Sequence, residues 1–154
     1  MVGDRPIPPA DTSGIRVLRE DDLPAIARLA RECGATMFSD AAFAMGSFRG
    51  VFDGGRLVSM AGTRGSTPST CEISAVATVP EHRGRGLSAR VVTATRIAIE
   101  ASGRTAFLHV TLANTTAIRL YDRLGFSGRS RTVIVDELRA RRDAPTADAE
   151  EARA

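Results

Sequence analysis

Residues 79–89 read Val79-Pro80-Glu81-His82-Arg83-Gly84-Arg85-Gly86-Leu87-Ser88-Ala89. The residues before this segment predict a strand, and those after it predict a helix. Gly84 and Gly86 lack the Cβ that would keep a ligand from the backbone, and the first N–H groups of a helix have no intrahelical partner. The helix dipole and the charges of Arg83 and Arg85 favour an anion at the same place. The segment therefore predicts a site for phosphate oxygens, such as those of a pyrophosphate.

Two other interpretations fit the same segment. In the first it is a glycine-rich connection whose arginines are simply solvated. In the second, Gly84-x-Gly86-x-x-Ala89 is a dinucleotide-binding fingerprint, which needs an acidic residue about 20 positions later, at the end of the next strand. The next predicted strand, residues 107–110, is followed by Thr111-Leu112-Ala113 and no acid. Too little chain remains for the further strand–helix units of such a fold, so the fingerprint is disfavoured.

The residues after the segment predict two helices and two strands. The first helix runs to about residue 101 and stops at Gly103, with one apolar face formed by Leu87, Val91, Ala94 and Ala98. Residues 107–110 predict a buried strand, and residues 117–124 predict a helix that ends at Gly125. Residues 132–135 predict a last strand.

The residues before the segment predict a hairpin and a third strand. Residues 48–52 and 56–61 alternate well and are joined by Asp53-Gly54-Gly55, a typical hairpin turn. Residues 72–79 predict the next strand. Further upstream, residues 14–19 predict a strand, residues 23–30 a helix, and residues 34–47 a short helix or a loop. Antiparallel strands followed by a strand–helix–strand–helix–strand half predict an α/β or α+β sandwich with one mixed sheet.

The composition indicates one globular domain, since the chain has 154 residues, of which 43% are hydrophobic and 25% charged. We expect a flexible lead over residues 1–14, the domain over residues 15–137 and a disordered tail over residues 138–154. No apolar run is long enough to span a bilayer, and the first residues lack the pattern of a signal peptide. These features predict a cytoplasmic protein with no membrane partner.

Charge and cysteine content exclude several kinds of chemistry. All 21 basic residues are arginine, so no lysine can form a Schiff base, and the net charge of +3 is too weak for a nucleic-acid surface. That charge does suit an anionic small molecule. Cys33 and Cys71 are too few and too far apart for a disulfide scaffold or a metal site. We expect two reduced core cysteines and no metal.

Residues 72–126 resemble the GCN5-related N-acetyltransferase (GNAT) superfamily in two motifs. The first is a Val-x-Pro-like strand end followed by an Arg-Gly-x-Gly loop, here Arg83 to Gly86. The second, about thirty residues later, is Asn114-Thr115-Thr116-Ala117-Ile118-Arg119-Leu120-Tyr121-Asp122-Arg123-Leu124-Gly125-Phe126. The strands at residues 72–76 and 107–110 look most like the FR47-like branch. A weaker match over residues 15–62 extends the resemblance to about 120 residues.

The resemblance implies a mixed, mostly antiparallel sheet of about six or seven strands, flanked by about four helices. It also implies acetyl-CoA as co-substrate, with its pyrophosphate on residues 83–89. The pantetheine arm would lie like an added strand along the strand that contains Val76 and Thr78. The implied cofactor-binding residues are Val76, Ala77, Thr78, Val79, Arg83, Gly84, Arg85, Gly86, Leu87, Ser88, Ala89, Asn114 and Tyr121.

The chain departs from the family pattern at two positions. Ser88 replaces a common Gly or Ala, and its small hydroxyl should fit and could donate to a phosphate. Glu81 stands where an alternative register of the motif has Gln or Arg, and an acid there would oppose phosphate if it pointed inward. We therefore align the motif from Arg83.

The resemblance also implies catalytic roles. Tyr121, the only tyrosine, is suited to protonate the departing thiolate. Glu72 is the candidate general base, acting through a water, and a backbone N–H near Thr78 is the candidate oxyanion donor. Asn114 either caps its helix or contacts the cofactor.

Both histidines have ordinary interpretations. His109, within a buried strand, is expected to be a core histidine. His82 is either a phosphate contact or exposed.

The implied activity is transfer of an acetyl group from acetyl-CoA directly to a primary amine of a small-molecule or peptide acceptor, in a ternary complex. The acceptor should enter over residues 34–48, where large apolar residues suggest a partly apolar wall. Such a stripe of Met and Phe is more often part of the core. Its members are Met37, Phe38, Phe43, Met45 and Phe48. The alternative is a non-catalytic acyl-CoA-binding or sensing module of the same fold. A homodimer would be unsurprising for the family.

Overall fold

The computed structural model describes residues 1–34 and 40–130. The strands are β1 (Val2–Gly3), β2 (Ile15–Val17), β3 (Phe48–Asp53), β4 (Arg56–Ser66), β5 (Thr70–Thr78), β6 (Thr105–Leu108) and β7 (Phe126–Ser127). The helices are α1 (Leu23–Glu32), α2 (Asp40–Met45), α3 (Leu87–Ala101) and α4 (Thr115–Arg123). The strand predicted at residues 132–135 and the tail predicted over residues 138–154 lie outside the described residues.

The strands form one mixed sheet in the order β2-β3-β4-β5-β6-β1-β7. Every neighbouring pair is antiparallel except β5 and β6, which are parallel and joined by α3. The seven-stranded sheet with four helices among the described residues confirms the predicted fold class. None of these helices is long and apolar enough to cross a membrane.

The hairpin of β3 and β4 forms where the sequence predicts it. Gly54 and Gly55 have φ values of +54° and +81°, which residues with a Cβ rarely adopt. The two strands then pair from Asp53↔Arg56 to Phe48↔Gly62. Gly62 also allows close packing, because a Cβ there would lie 2.3 Å from the Phe48 ring.

Apolar side chains cover both faces of the sheet. On one face α1 packs against the hairpin through a cluster that includes Ile26, Leu29, Phe48, Val58 and Met60. On the other face α3 and α4 pack against β5 and β6 through Val91, Val92, Ile99, Leu108 and Tyr121. The sheet is therefore the middle layer of a three-layer sandwich.

The parallel pair β5 and β6 separates part-way along its length. The two strands pair from Thr70↔Thr105 to Ile73↔Leu108, where β6 ends. β5 continues to Thr78, but its pairing with β4 shifts between Gly62↔Ser74 and Met60↔Ala77. Two residues of β5 thus oppose one residue of β4, which defines a β-bulge that bends the strand. Beyond this point a gap opens between β5 and the chain that follows β6. We call this gap the fork.

The first residues differ from the flexible lead predicted for residues 1–14. Val2–Gly3 forms β1, which pairs with both β6 and β7. The buried Arg96 of α3 holds this segment, because its guanidinium donates to the carbonyl oxygens of Arg5 at 2.6 Å and Leu124 at 2.7 Å. The guanidinium also pairs with Glu100 at 2.6 Å. A two-residue strand has no periodicity to detect, so only these long-range contacts reveal it.

Replacing Arg96 should destabilise the fold. Arg96→Gln removes a 2% exposed charge and leaves two carbonyl groups without their donor. We expect a loss of about 2–4 kcal/mol in the free energy of unfolding, measured by urea denaturation. Arg119→Gln, on the exposed surface of α4, is the control and should change stability by less than about 0.5 kcal/mol. Equal stability of the two variants would contradict the anchoring role.

Candidate active site

The edge of β5 that faces the fork presents main-chain groups. The Val79 N–H donates to the Val58 carbonyl of β4 at 3.0 Å, so Val79 and Ala77 point their backbone groups toward β4. Thr78 and Val76 alternate with them and point toward the fork. In agreement with this, the Thr78 carbonyl accepts a bond from Arg83 Nε at 3.2 Å. The Thr78 N–H lies beside the Cys33 sulfur, so both main-chain groups of Thr78 already have partners. Of the predicted strand residues, Val76 is therefore the one best placed to offer main-chain bonds to an extended ligand.

The glycine loop after β5 is open. Gly84 and Gly86 have φ values of +75° and +76°, and a Cβ built at either position meets no atom within 4 Å. α3 begins directly at Leu87, and no side chain caps its first N–H groups. Arg83 and Arg85 are exposed beside the loop. The predicted phosphate cradle is thus free of neighbouring side chains among the described residues.

A chain of hydroxyl groups joins this loop to the strand. Thr78 Oγ1 lies 2.8 Å from Ser88 Oγ in the first turn of α3 and 2.8 Å from Ser59 Oγ of β4. Ser59 is fully buried, and Thr78 is 7% exposed. The Ser88 hydroxyl, expected as a candidate phosphate donor, is therefore engaged with Thr78, and the contact fixes the helix start relative to β5.

The other polar residues near the loop turn away from it. Glu81 Oε1 pairs with Arg56 at 2.6 Å, which supports aligning the motif from Arg83. His82 Nε2 pairs with Asp53 of the hairpin at 2.9 Å. Leu87 is 8% exposed and packs in the core beside α1, so only its backbone faces the loop.

The two cysteines are free, as predicted, with Cys71 buried and Cys33 half-buried. Burial raises the pKa of the Cys33 thiol, and the contacts with Arg83 and with the Thr78 backbone oppose this only in part. The raised pKa favours the neutral thiol at neutral pH, which is the less reactive form.

Tyr121 of α4 is buried on the α3 side of the sheet. It is 7% exposed, lies edge-on to Phe126 at 6.1 Å and belongs to the cluster against which Val76 packs. Burial raises the pKa of Tyr121, so the phenol keeps its proton at neutral pH. No described residue hydrogen-bonds its hydroxyl group. The side chain thus has a proton to donate and no competing partner.

Asn114 caps α4, since its side-chain oxygen accepts from the Ala117 N–H at 3.1 Å. This is one of the two roles that the sequence allows. The bond engages only the oxygen, which leaves the amide nitrogen for another contact.

Glu72 and His109 form a pair where the fork begins. Glu72 Oε1 lies 2.9 Å from His109 Nδ1 and 2.8 Å from an Arg64 nitrogen, and Glu72 Oε2 accepts from Arg64 Nε at 3.2 Å. Burial would raise the pKa of Glu72, but the bonds to Arg64 and His109 outweigh it and lower the pKa below its ordinary value. Glu72 is thus an ionised carboxylate that is bonded to both Arg64 and His109.

His109 is not the core histidine that the sequence predicts. β6 ends at Leu108, two residues earlier than expected, and the His109 side chain is 54% exposed. The parallel register places Glu72 beside Phe107, on the same face of the sheet as His109. The pair could have been found from the register between β5 and β6. The sequence of either strand alone does not determine that register.

The predicted acceptor wall is only partly present in the described residues. Phe48 is 2% exposed and packs against Phe43 at 5.4 Å between ring centres, so both belong to the core. Met45 is 72% exposed. Met37 and Phe38 lie outside the described residues.

A family model described as FR47-like protein matches residues 49–135, more than half of the chain. The chain belongs to the FR47-like family of GNAT proteins. The matched residues include the fork, the glycine loop and the helix that carries Tyr121.

Solved structures with this fold include one from Novosphingobium aromaticivorans that is assigned to the GNAT family of acetyltransferases. It is 40% identical with a TM-score of 0.78, over 83% of this chain and 58% of that one. The chain thus spans little more than half the length of this relative. No curated protein matches the chain.

Two more distant structures share the fold. The ribosomal-protein-S18-alanine N-acetyltransferase of Escherichia coli is 24% identical with a TM-score of 0.66, over 75% of this chain and 78% of that one. The enzyme AAC(6')-Iy, in complex with a bisubstrate analogue of CoA and acetylneamine, is 15% identical with a TM-score of 0.67, over 79% of this chain and 95% of that one.

Proposed function

We propose that this protein is an N-acetyltransferase that moves an acetyl group from acetyl-CoA directly to a primary amine in a ternary complex. The observation that carries the proposal is the open glycine cradle at the end of a strand whose free edge faces the fork. Family membership and the CoA analogue bound by a protein of the same fold support it.

The cradle and the fork fit the two halves of the donor. The free N–H groups at the start of α3 and the charges of Arg83 and Arg85 suit a pyrophosphate. The main-chain groups of Val76 suit the amides of a pantetheine arm that lies along β5 as far as Thr78. When bound, acetyl-CoA supplies the activated thioester.

Acetyl transfer needs a stabilised oxyanion, a protonated leaving group and a deprotonated amine. The backbone N–H of Val76, close to Thr78 on β5, is the proposed oxyanion donor. Tyr121 is the proposed general acid, because a buried phenol with a raised pKa keeps its proton until the thiolate leaves. The Glu72–His109 pair is the proposed proton acceptor.

Binding of the donor can be tested with a matched pair of glycine variants. Acetyl-CoA at about 100 times its Kd should stabilise the wild type by about 2.7 kcal/mol, a rise of several degrees in Tm. Gly86→Glu places a negative charge in the cradle and should abolish this rise. Gly103→Glu is the control, since Gly103 has the same φ of +76° and the same open surroundings at the other end of α3. Equal shifts in both variants would exclude the cradle as the donor site.

The role of Tyr121 can be tested with Tyr121→Phe. This variant keeps the buried ring against Phe126 and removes only the hydroxyl group. We expect kcat for amine acetylation to fall by about 10² or more, while KM for acetyl-CoA stays within about twofold. Free thiol released per minute across a panel of amines measures the effect. An unchanged kcat would remove Tyr121 from the mechanism, and binding of acetyl-CoA without turnover of any amine would favour a sensing module.

A further inference from the structure

We propose that His109 Nε2 takes the proton of the acceptor, that Glu72 is a positioning residue, and that the acceptor is a weakly basic primary amine such as the α-amino group of a peptide. The inference rests on the proposed N-acetyltransferase function. It divides the roles within the Glu72–His109 pair and derives the class of acceptor from that division.

Glu72 is poorly suited to accept the proton itself. It is 7% exposed, and both of its oxygens accept bonds, from Arg64 and from His109. The same bonds lower its pKa, so the carboxylate has little affinity for a proton near neutral pH. A buried and fully engaged carboxylate orients its neighbour better than it serves as a base.

His109 has the geometry of a base. An ionised carboxylate only accepts hydrogen bonds, so Nδ1 carries the hydrogen in the contact with Glu72, and Nε2 keeps its lone pair. The ring lies edge-on to Phe107 at 5.7 Å, which limits its rotation. No described residue bonds Nε2, and the side chain is 54% exposed at the start of the fork.

The charged groups around His109 come from β4, from β5 and from the residue before β1. Glu72 of β5 contacts the ring directly, and Arg64 of β4 contacts Glu72. The Met1 amino group donates to the carbonyl of Leu108, the residue before His109, at 2.6 Å. The carboxylate of Glu72 is the charge in direct contact with the ring.

The choice of base sets the class of acceptor. An imidazole has an ordinary pKa of about 6.5, a peptide α-amino group about 7.7–8.0 and a lysine side chain about 10.4. The ordinary pKa of an imidazole is therefore only about one pKa unit below that of an α-amino group, but roughly four pKa units below that of a lysine side chain. Proton transfer to an imidazole is correspondingly less unfavourable from an α-ammonium group. A histidine base therefore favours α-amino acceptors over lysine side chains.

The step balances without a further reactant. The amine nitrogen bonds to the acetyl carbon as the carbon–sulfur bond breaks. One proton of the ammonium goes to His109 Nε2, the nitrogen loses its second proton to solvent as the amide forms, and the sulfur takes a proton from Tyr121. Solvent then restores both side chains, so the net products are the amide, CoA thiol and one proton.

The first experiment separates base from positioning residue. His109→Gln should lower kcat by about 10² with KM for acetyl-CoA unchanged. Glu72→Gln should lower kcat by about tenfold with KM for acetyl-CoA unchanged, because the ring loses the carboxylate that holds it in place. Arg119→Gln, on the exposed surface of α4, is the control and should change neither kcat nor KM.

Two results would overturn this division of roles. One is full activity of His109→Gln together with a loss of 10² or more in Glu72→Gln, which would make Glu72 the base. The other is an unchanged kcat in Glu72→Gln, which would show that the carboxylate does not position the ring. Because Glu72→Gln leaves Arg64 facing a neutral amide, the double variant Arg64→Gln/Glu72→Gln provides a second background for the same kcat measurement.

The second experiment compares two peptides that each contain one amine. One peptide has a free N-terminus and no lysine, and the other is N-acetylated and has one lysine. At pH 7.5 we expect kcat/KM to be at least about tenfold higher for the free N-terminus. Preference for the lysine peptide would refute the acceptor class but not acetyl transfer. No turnover of either peptide or of small amines, with no thermal shift by acetyl-CoA, would instead refute the proposed function.

Discussion

The bulge in β5 is the constraint on which the site depends. Up to Ile73 the strand is paired on both sides, with β4 and with β6. Ala75 then adopts a φ of +50°, which is unusual for a residue with a Cβ, and the strand bends away after the last pair with β6. Without this bend, the main-chain groups of Val76 and Thr78 would have no open gap to face. A strained residue in the middle of a strand is consistent with a functional demand on its geometry.

The two ends of the fork carry different chemistry and are held by different means. At the loop end, the hydroxyl chain of Ser59, Thr78 and Ser88 ties the start of α3 to the strand edge. The predicted anion cradle and the edge of β5 are thus joined by hydrogen bonds. At the other end, Glu72 and His109 come from the two strands that still pair there. A ligand that spans the fork would therefore meet fixed groups at both ends.

Most of the fold could be predicted from the sequence because its signals are local. The hairpin turn, the helix after the glycine loop and the helix that ends at Gly125 each rest on spacing within a few residues. β1 could not be predicted, since two residues have no period and their partners are more than 100 positions away. His109 was misplaced for a related reason: the end of β6 and its register with β5 are set by tertiary packing. The engagement of Ser88 by Thr78 likewise depends on how a helix docks on a strand.

The Glu72 carboxylate combines a structural role in the sheet with the positioning role proposed for it. A charge that is 7% exposed is costly unless it is paired, and Arg64 from β4 supplies the pairing that makes its burial tolerable. The second bond, to His109, links β5 to the chain that leaves β6. This bond also places the buried negative charge of Glu72 in contact with the half-exposed ring of His109. A carboxylate without Arg64 would gain a proton more readily and would then accept a hydrogen bond from the ring less well. The arginine that stabilises the sheet therefore also supports the tautomer that the proposed role of His109 needs.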